Sequence, residues 1–514
     1  MAHIRHALTT KRADDFAAWY QEVITAADMA EESGVRGCMV IKPWGWGIWE
    51  RMQRLLDNRI KATGHDNCYF PLFIPLSNFA REAEHVEGFA KEMAVVTHHR
   101  LIADGKGGLA PDPDARLEEP LVVRPTSETI IGDAMARWVQ SWRDLPLRLN
   151  QWANVVRWEM RTRMFLRTSE FLWQEGHTAH SDAAEAKEHT LRMLEVYRAF
   201  AEEDLSLPVI AGEKPENERF PGAVETWSIE AMMQDGKALQ AGTSHYLGTN
   251  FAEASGIRYQ DKDGGQQLAH TTSWGVSTRM VGGVIMTHGD DDGLRVPPKI
   301  APWQVVILPM LREDEGDAAL MAYCEGLRAA LAGQSALGEP VRVLLDTKPG
   351  KPAQKRWDWV RKGAPVIVEV GGRDMQNGVV SLLRRDALWD AATGKPAFET
   401  PTREIAGQTI PGILGDMHAA MFAQAQERRE ANITRGVSEF AAVEKHFASD
   451  AKFPGWVEVQ WSKPTGAELD KVVERLKALK LTIRNVPKAS PAADGACIFT
   501  GAPATERVLL AKAY

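Results

Sequence analysis

The sequence predicts a mixed α/β protein in three parts. An α+β domain on an antiparallel sheet flanked by helices comes first, then a small βαβαβ domain, then a C-terminal α/β domain. Three observations carry this. From about residue 150 to residue 277, apolar runs separated by turn residues follow one another as hairpins, the mark of antiparallel pairing. From Val305 to Val370, strand-like and helix-like runs alternate, the mark of parallel strands. Pro297-Pro298 punctuates the chain between them. The expected divisions are 1–297, 298–402 and 403–514, in keeping with roughly three domains at about 150 residues each.

The elements follow in order. Asp14 to Ser33 places Phe16, Trp19, Tyr20, Val23, Ile24 and Ala27 on one helical face, with acids in the first turn and Gly34 just beyond. A second helix is expected from about Gly47 to Thr63, stopped by Gly64, and a buried strand over Cys68 to Pro75. Arg124-Pro-Thr-Ser-Glu128 introduces a helix with Ile130, Ile131, Ala134, Met135, Trp138 and Trp142 on its apolar face. Two strands joined by a polar turn then carry Arg157-Trp158-Glu159 and Phe171 to His177, with Arg161, Arg163 and Arg167 on a flexible tip. Ser181 reads as the N-cap of a helix reaching about Leu205. Ser228 to Gly248 reads as a hairpin around Asp235-Gly236, and Gln267 to Ser277 as a strand feeding a helix near Arg279. Beyond the double proline come Val305–Pro309, a helix over Asp317 to Leu331, Val341–Leu345, a helix over Pro352 to Lys362, and Pro365–Val370. A helical stretch and a mixed tail follow from about Thr400.

Composition narrows the classes. The 514 residues are 44% hydrophobic and 25% charged, which is ordinary for a soluble globular protein with a sizeable core. A formal net charge of -8 argues against a uniformly basic nucleic-acid coat but leaves room for a local basic face. Such a face is offered by Arg342 to Arg385, with ten Lys or Arg against four acids, although a solvated charged surface would look the same. The four cysteines include no Cys-x-x-Cys pair, which points to neither a disulfide framework nor a metal knuckle. The N-terminus lacks an apolar signal segment, and no stretch approaches the roughly 18 apolar residues needed to span a bilayer, so a cytoplasmic location is expected.

Four segments carry candidate chemistry. Around Arg157 and Glu159, arginines offer forked donors for phosphate oxygens, a carboxylate can accept from an adenine amino group, and Phe171 can stack on a base. A surface hairpin with ion pairs is the plainer reading. Thr126-Ser127-Glu128 can meet a cationic amine, or simply cap a helix. Gln240-Ala-Gly-Thr-Ser-His245 uses small residues to crowd polar groups around a ligand, or makes an ordinary turn. Gly275 to Gly283 presents Arg279 at a strand-to-helix junction, or packs a glycine-rich helix.

Together and in this order, these segments resemble the signature motifs of class II aminoacyl-tRNA synthetases, and in detail prolyl-tRNA synthetases of the archaeal/eukaryotic-like type. Motif 1 resembles Gly37 to Trp49 with Pro43, motif 2 is the Arg157 hairpin, and motif 3 ends in the Arg279 helix. Arg124-Pro-Thr-Ser-Glu-Thr129, Phe171-Leu-Trp-Gln-Glu-Gly-His177 and Gly242-Thr-Ser-His245 are specific to the proline family. The resemblance implies that Arg157 bridges the substrate carboxylate and the α-phosphate of ATP, with Arg279 and Arg167 on the outer phosphates with Mg²⁺. It implies that Glu159 and Phe171 fix adenine and that Gln240, Thr243 and Ser277 line the nucleotide site. Thr126 and Glu128 would take the secondary amine of L-proline, and Trp173, Glu175, His177, Phe220 and His245 would wall its ring. It further implies tRNA(Pro) as partner, an anticodon-binding domain after Pro297, and a homodimer through the N-terminal region and motif 1.

The sequence also departs from the family. Ala496-Cys497-Ile-Phe-Thr-Gly501 keeps one cysteine where a Cys-x-x-Cys would stand, and Trp461-Ser462-Lys463 lacks the upstream pair, so no structural zinc is expected. Val360 replaces an expected acid and Ile367 an expected arginine, leaving Arg373 and Asp374 as candidate anticodon readers. The span from Glu159 to Arg279 is too short for the bacterial-type editing insertion. The ending Ala511-Lys-Ala-Tyr514 matches a family terminus that tucks toward the active site, against the plainer reading of a frayed end. His177 and His180 would face different ways, which disfavours a metal pair. A catalytically silent RNA-binding paralogue and an inhibitor-tolerant second copy are the competing functions.

Overall fold

The computed structural model describes residues 4–80, 93–312, 315–448 and 453–514. Met1 to His3 of the N-terminal stretch lie outside them. Helix α1 (Phe16–Ala26) is capped by the Asp15 carboxylate, which accepts from Ala17 and Ala18 N–H. It ends seven residues before the expected Ser33, because Asp28 adopts a left-handed φ of 55° and Ala30–Glu32 turns into a strand paired with Met39–Ile41. Apolar Met29 and Ala30 suited either state, and the pairing decided between them. Helix α2 (Pro43–Lys61) starts earlier than expected, with Pro43 in its first turn, where a missing N–H costs nothing.

Of the expected strand Cys68 to Pro75 only Phe73–Pro75 forms, and β1 (Asp66–Asn67) lies just before that span; the two join different sheets. Pro71 lies between them and cannot donate to a ladder. Helix α3 (Glu128–Trp138) stops before Trp142, which sits in a separate turn capped by Ser141. Strands β2 (Leu147–Val156) and β3 (Glu170–His180) form the long central hairpin. Arg157 to Glu159 lie just beyond the end of β2 rather than within it. Asp182, not Ser181, caps helix α4 (Ala183–Ala199), which continues in a wide turn to Asp204.

Strands β4 (Val209–Glu213), β5 (Glu225–Met232), β6 (Ala238–Gly248) and β7 (His270–Ser277) precede helix α5 (Arg279–His288). The sheet runs Val486–Pro487, β4, β5, β6, β7, β3, β2, β1, antiparallel throughout except where β1 meets β2. Its main core gathers α1, α2, α4 and α5 around Trp19, Trp274 and Tyr197.

The next unit has β8 (Val305–Pro309), α6 (Asp317–Ala332), β9 (Val343–Leu345), α7 (Pro352–Lys362) and β10 (Val366–Val370) as the expected βαβαβ. Strand β8 is parallel to both neighbours, and Ser381–Arg384 and Phe398–Glu399 extend the sheet antiparallel. Val360 and Ile367 are buried in its core, so their apolar identity serves packing. Helix α8 (Arg403–Ala431) belongs to two neighbourhoods. Its first half packs Ala406, Ile410 and Leu414 into the core of this unit, while His418, Arg428 and Arg429 bond to Glu203 O, Thr287 O and Val209 O of the first domain. The tail forms a four-stranded sheet whose apolar cluster includes Trp461 and the free thiol Cys497.

Candidate active site

Strand alternation assembles the site. Trp173, Glu175 and His177 of β3 stand opposite Ser277, Gly275 and Ser273 of β7, and Thr243 and His245 of β6 stand opposite Gly275 and Ser273 on the other side. Residues directly opposite share a face, so these side chains point into one cleft. A register shift between β5 and β6 pairs Ile229 with Gly242 but Glu230 with Gln240, leaving Ala241 as a bulge. The extra residue changes parity and brings Gln240 to the same face as Thr243, the re-aiming that bulges provide.

The result is a cavity of about 260 Å³ lined by all eight residues expected to hold the amino acid, together with Phe171, Gln240, Thr243, Ser277 and Arg279. A second cavity of about 240 Å³ adds Glu159 and Arg167 and shares Arg157, Phe171, Ser277 and Arg279 with the first. Every site residue expected in this domain therefore lines one of two joined spaces, with Arg157 at their junction.

Arg157 sits where a cation is costly and useful. Its Nε donates to Pro125 O at 2.9 Å, and its guanidinium lies 5.6 Å from the Phe171 ring centre and 5.5 Å from that of Trp173. Burial pushes its pKa down to about 10, with Glu128 pulling the other way, so it stays charged at neutral pH. The preceding loop is fixed by Arg124, a buried guanidinium that donates to Phe70 O, Pro71 O and Asn154 O. The capping reading of Thr126-Ser127-Glu128 does not hold for the hydroxyls. Thr126 donates to Glu128, and Ser127 donates to Glu175 Oε1 at 2.5 Å instead of capping α3.

Glu175 is saturated. Ser127 and Gln151 (2.6 Å) donate to Oε1, and His177 Nε2 lies 2.9 Å from Oε2. Burial raises its pKa, but His177, Ser127 and Gln151 outweigh that and hold it below the usual carboxylate value. Burial likewise lowers His177, and Glu175 and Glu128 more than reverse it, holding its pKa above the ordinary imidazole value and favouring the imidazolium form. His245 goes the other way. Burial, with His177 adding to it, pushes it down to about 3, so it is neutral; its Nδ1 meets Thr226 Oγ1 at 3.0 Å and its ring packs 4.8 Å from Phe220. One side of the cavity is thus ionic and the other an uncharged ring wall.

The motif around Arg161 to Arg167 is not a loose tip. Arg163 and Arg167 bridge through their backbones, Phe165 and Leu166 are buried, and Tyr20 Oη donates to Met164 O at 2.7 Å. Arg279 Nε donates to Leu166 O at 3.2 Å. Arg167 Nε donates to Glu159 Oε2 at 2.6 Å, which leaves the two terminal nitrogens of the Arg167 guanidinium for phosphate oxygens. The terminal residue also docks here: Tyr514 Oη donates to Asp235 at 2.6 Å, with Arg163 and Lys237 over its ring.

His177 and His180 face opposite sides of β3, His180 meeting Glu185 and Thr178 away from the cleft. Among the described residues, no group of three His, Cys, Asp or Glu is placed to hold a metal. Arg373 is exposed on the short helix Gly372–Gln376, while Asp374 accepts from Gly371 N at 2.8 Å. Sequence reasoning missed Gln151, the hydroxyl role of Ser127, and Thr226. Gln151 pairs with Glu175 and Thr226 with His245 across strands, and only the register reveals such neighbours.

Comparison with known proteins identifies this architecture. Residues 113–288 match the tRNA synthetase class II core domain (G, H, P, S and T), and residues 304–391 match an anticodon binding domain. A proline–tRNA ligase of Erythrobacter litoralis is 76% identical over the whole of both chains. The chain belongs to the proline–tRNA ligase family. Other members are similar along their full length: the proline–tRNA ligase of Novosphingobium aromaticivorans is 69% identical over 99% of each chain, and that of Bdellovibrio bacteriovorus 52% over 99%. The joined cavities lie within the class II core of this proline–tRNA ligase fold, and Arg373 lies within its anticodon-binding domain.

Proposed function

We propose that the chain activates L-proline with ATP to prolyl-adenylate and transfers the prolyl group to the 3′ end of tRNA(Pro), releasing AMP and pyrophosphate. One observation carries the site assignment: Arg157 stands at the junction of the two cavities, so a carboxylate in one and an α-phosphate in the other can meet it. Proline enters the first cavity with its ammonium toward Glu128 and Thr126 and its ring against Trp173, Phe220 and neutral His245, bounded by the Glu175–His177 pair. ATP occupies the second and extends into the part of the first lined by Gln240 and Thr243, with adenine against Phe171 near Glu159 and Ser277 and outer phosphates toward Arg167 and Arg279.

A proline carboxylate oxygen attacks the α-phosphorus in line, the bond to the β-phosphate oxygen breaks, and pyrophosphate leaves. The tRNA terminal hydroxyl then attacks the prolyl carbonyl and AMP departs. No side chain forms a bond to substrate; the protein positions the reactants and offsets charge. Mg²⁺ fits as a companion of the phosphates, since it keeps waters and phosphate oxygens as ligands and the second cavity is wide enough to hold it beside them. When bound, it neutralises charge on the phosphate oxygens.

The short span from Glu159 to Arg279 and the docked C-terminal tyrosine support the archaeal/eukaryotic-like architecture, here in a chain whose similar relatives are bacterial. Without an editing insertion, rejection of smaller amino acids rests on pocket contacts of about 1–3 kcal/mol per methylene. Exposed Val35, Val40 and Trp46 around motif 1 support a homodimer, and exposed Arg373 an anticodon contact, with Asp374 beside it. The domain limits 1–297, 298–402 and 403–514 accommodate the two matched regions, with α8 starting at the last limit and packing its first half back into the second unit. No helix among the described residues is long and apolar enough to cross a membrane, and we assign the protein to the cytoplasm. Proline-dependent ATP–pyrophosphate exchange, followed by prolylation of tRNA(Pro), tests the function; a silent paralogue gives neither.

A further inference from the structure

The bulge that turns Gln240 into the cleft is held from outside the catalytic domain. Glu230 lies directly across from Gln240 in the β5–β6 ladder, so the two share the active-site face as close cross-strand neighbours. Glu230 is 0% exposed, and three groups meet it. Ser228 Oγ donates at 3.0 Å, Lys214 Nζ lies at 2.9 Å, and Arg484 of the C-terminal domain places Nη2 at 2.8 Å and Nε at 3.1 Å from Oε2. Arg484 is itself 5% exposed, and its Nη1 donates to Thr482 Oγ1 at 2.7 Å. A buried carboxylate in this position is tolerable only while these partners stay in place.

Two further contacts from the same domain bracket the bulged hairpin. Val486–Pro487 adds a strand to β4, and Gly212 packs so closely that a Cβ there would lie 2.2 Å from Val486 O. At the start of β6, two residues before Gln240, Ala238 N donates to Lys512 O at 2.8 Å and Ala238 O accepts from Tyr514 N at 3.1 Å. The charge cluster also reaches Arg279. Burial and Arg167 chiefly lower its proton affinity, Glu230 opposes them, and Arg484 adds to them.

We propose that Arg484 is a positioning residue for the nucleotide half of the site, acting through Glu230 to hold the bulge that presents Gln240. The C-terminal domain is then a working part of adenylate formation rather than an appendage. This rests on the proline-activating function proposed above.

The test is proline-dependent ATP–pyrophosphate exchange on the full-length wild type, R484M and R484K. R484M is expected to raise KM for ATP on the order of tenfold, the scale of coupling between contacting residues, while KM for proline stays within about twofold. R484K, which keeps the charge but not the fork, should fall between. A purely structural Arg484 would lower the active fraction and leave both KM values unmoved, and that result overturns the proposal. If R484M does not fold, E230Q is judged by the same criterion: a selective rise in KM for ATP supports it and an unmoved value overturns it. A wild type without exchange overturns the function and this inference together, whereas a wild type that exchanges beside an unmoved R484M overturns the inference alone.

Discussion

Replacing Glu175 with Gln removes one charge from a buried, fully bonded carboxylate. Ser127 and Gln151 both donate to Oε1, and Gln151 cannot simply turn its amide over, because its Oε1 already accepts from Phe70 N at 3.0 Å. The new amide nitrogen must therefore face His177, which can accept at Nε2 only as neutral imidazole. One charge-assisted hydrogen bond is lost, about 1.5–3 kcal/mol. At about 2–4 °C per kcal/mol for a domain of this size, the first melting transition should fall by roughly 3–12 °C. The pH dependence separates this reasoning from general damage. His177 is raised above its ordinary value of about 6.5, so its contribution is fully present below that pH and is lost as pH rises through the raised value. Glu175 is held below its ordinary value of about 4.3, so its contribution is present above that pH and is lost as pH falls through the depressed value. The pair therefore stabilises most between those limits, and the penalty of E175Q should shrink as pH climbs beyond the raised His177 value. Melting of both proteins by circular dichroism from pH 5 to 9 reads this directly. An E175Q deficit that stays constant across pH 6 to 9 would refute a charged His177 held by Glu175.

Three further outcomes are expected. Arg157→Ala should slow adenylation on the order of 10² to 10³ or more, by analogy with removing one donor from a charge-stabilising site; near-normal pyrophosphate exchange would refute its placement. Gly176→Ala should be destabilising by about 1–3 kcal/mol or more, because its Cβ would meet the Trp274 ring at 1.9 and 2.1 Å, and a wild-type melting temperature would show that the indole moves freely. Arg373→Ala should raise KM for tRNA about fivefold to a hundredfold, one lost base contact being ~1–3 kcal/mol, with exchange unchanged; an unaltered KM would remove Arg373 from the anticodon contact.

Much of the site was legible because its chemistry is written in short segments. Thr126 and Glu128 are two residues apart, Trp173, Glu175 and His177 alternate along one strand, and Ser277 and Arg279 flank one strand-to-helix junction. Local spacing is enough to place such groups together. Helix and strand boundaries were less legible where an apolar run suits both states. Met29 and Ala30 could extend α1 by composition, but their segment pairs with Met39–Ile41. The segment from Asp66 to Pro75 serves two sheets, which a one-dimensional pattern cannot express.

By itself, the sequence determined the class of fold, the order of the motifs and the residue types that can meet an amine, a carboxylate and phosphates. The tertiary structure alone decided which partners set their charges and directions. Gln151 meets Glu175 through strand register, and the bulge at Ala241 turns Gln240 inward. Arg484 reaches Glu230 across 254 residues. Side-chain chemistry is a property of each residue, but a proton affinity or a direction is a property of what the fold places against it.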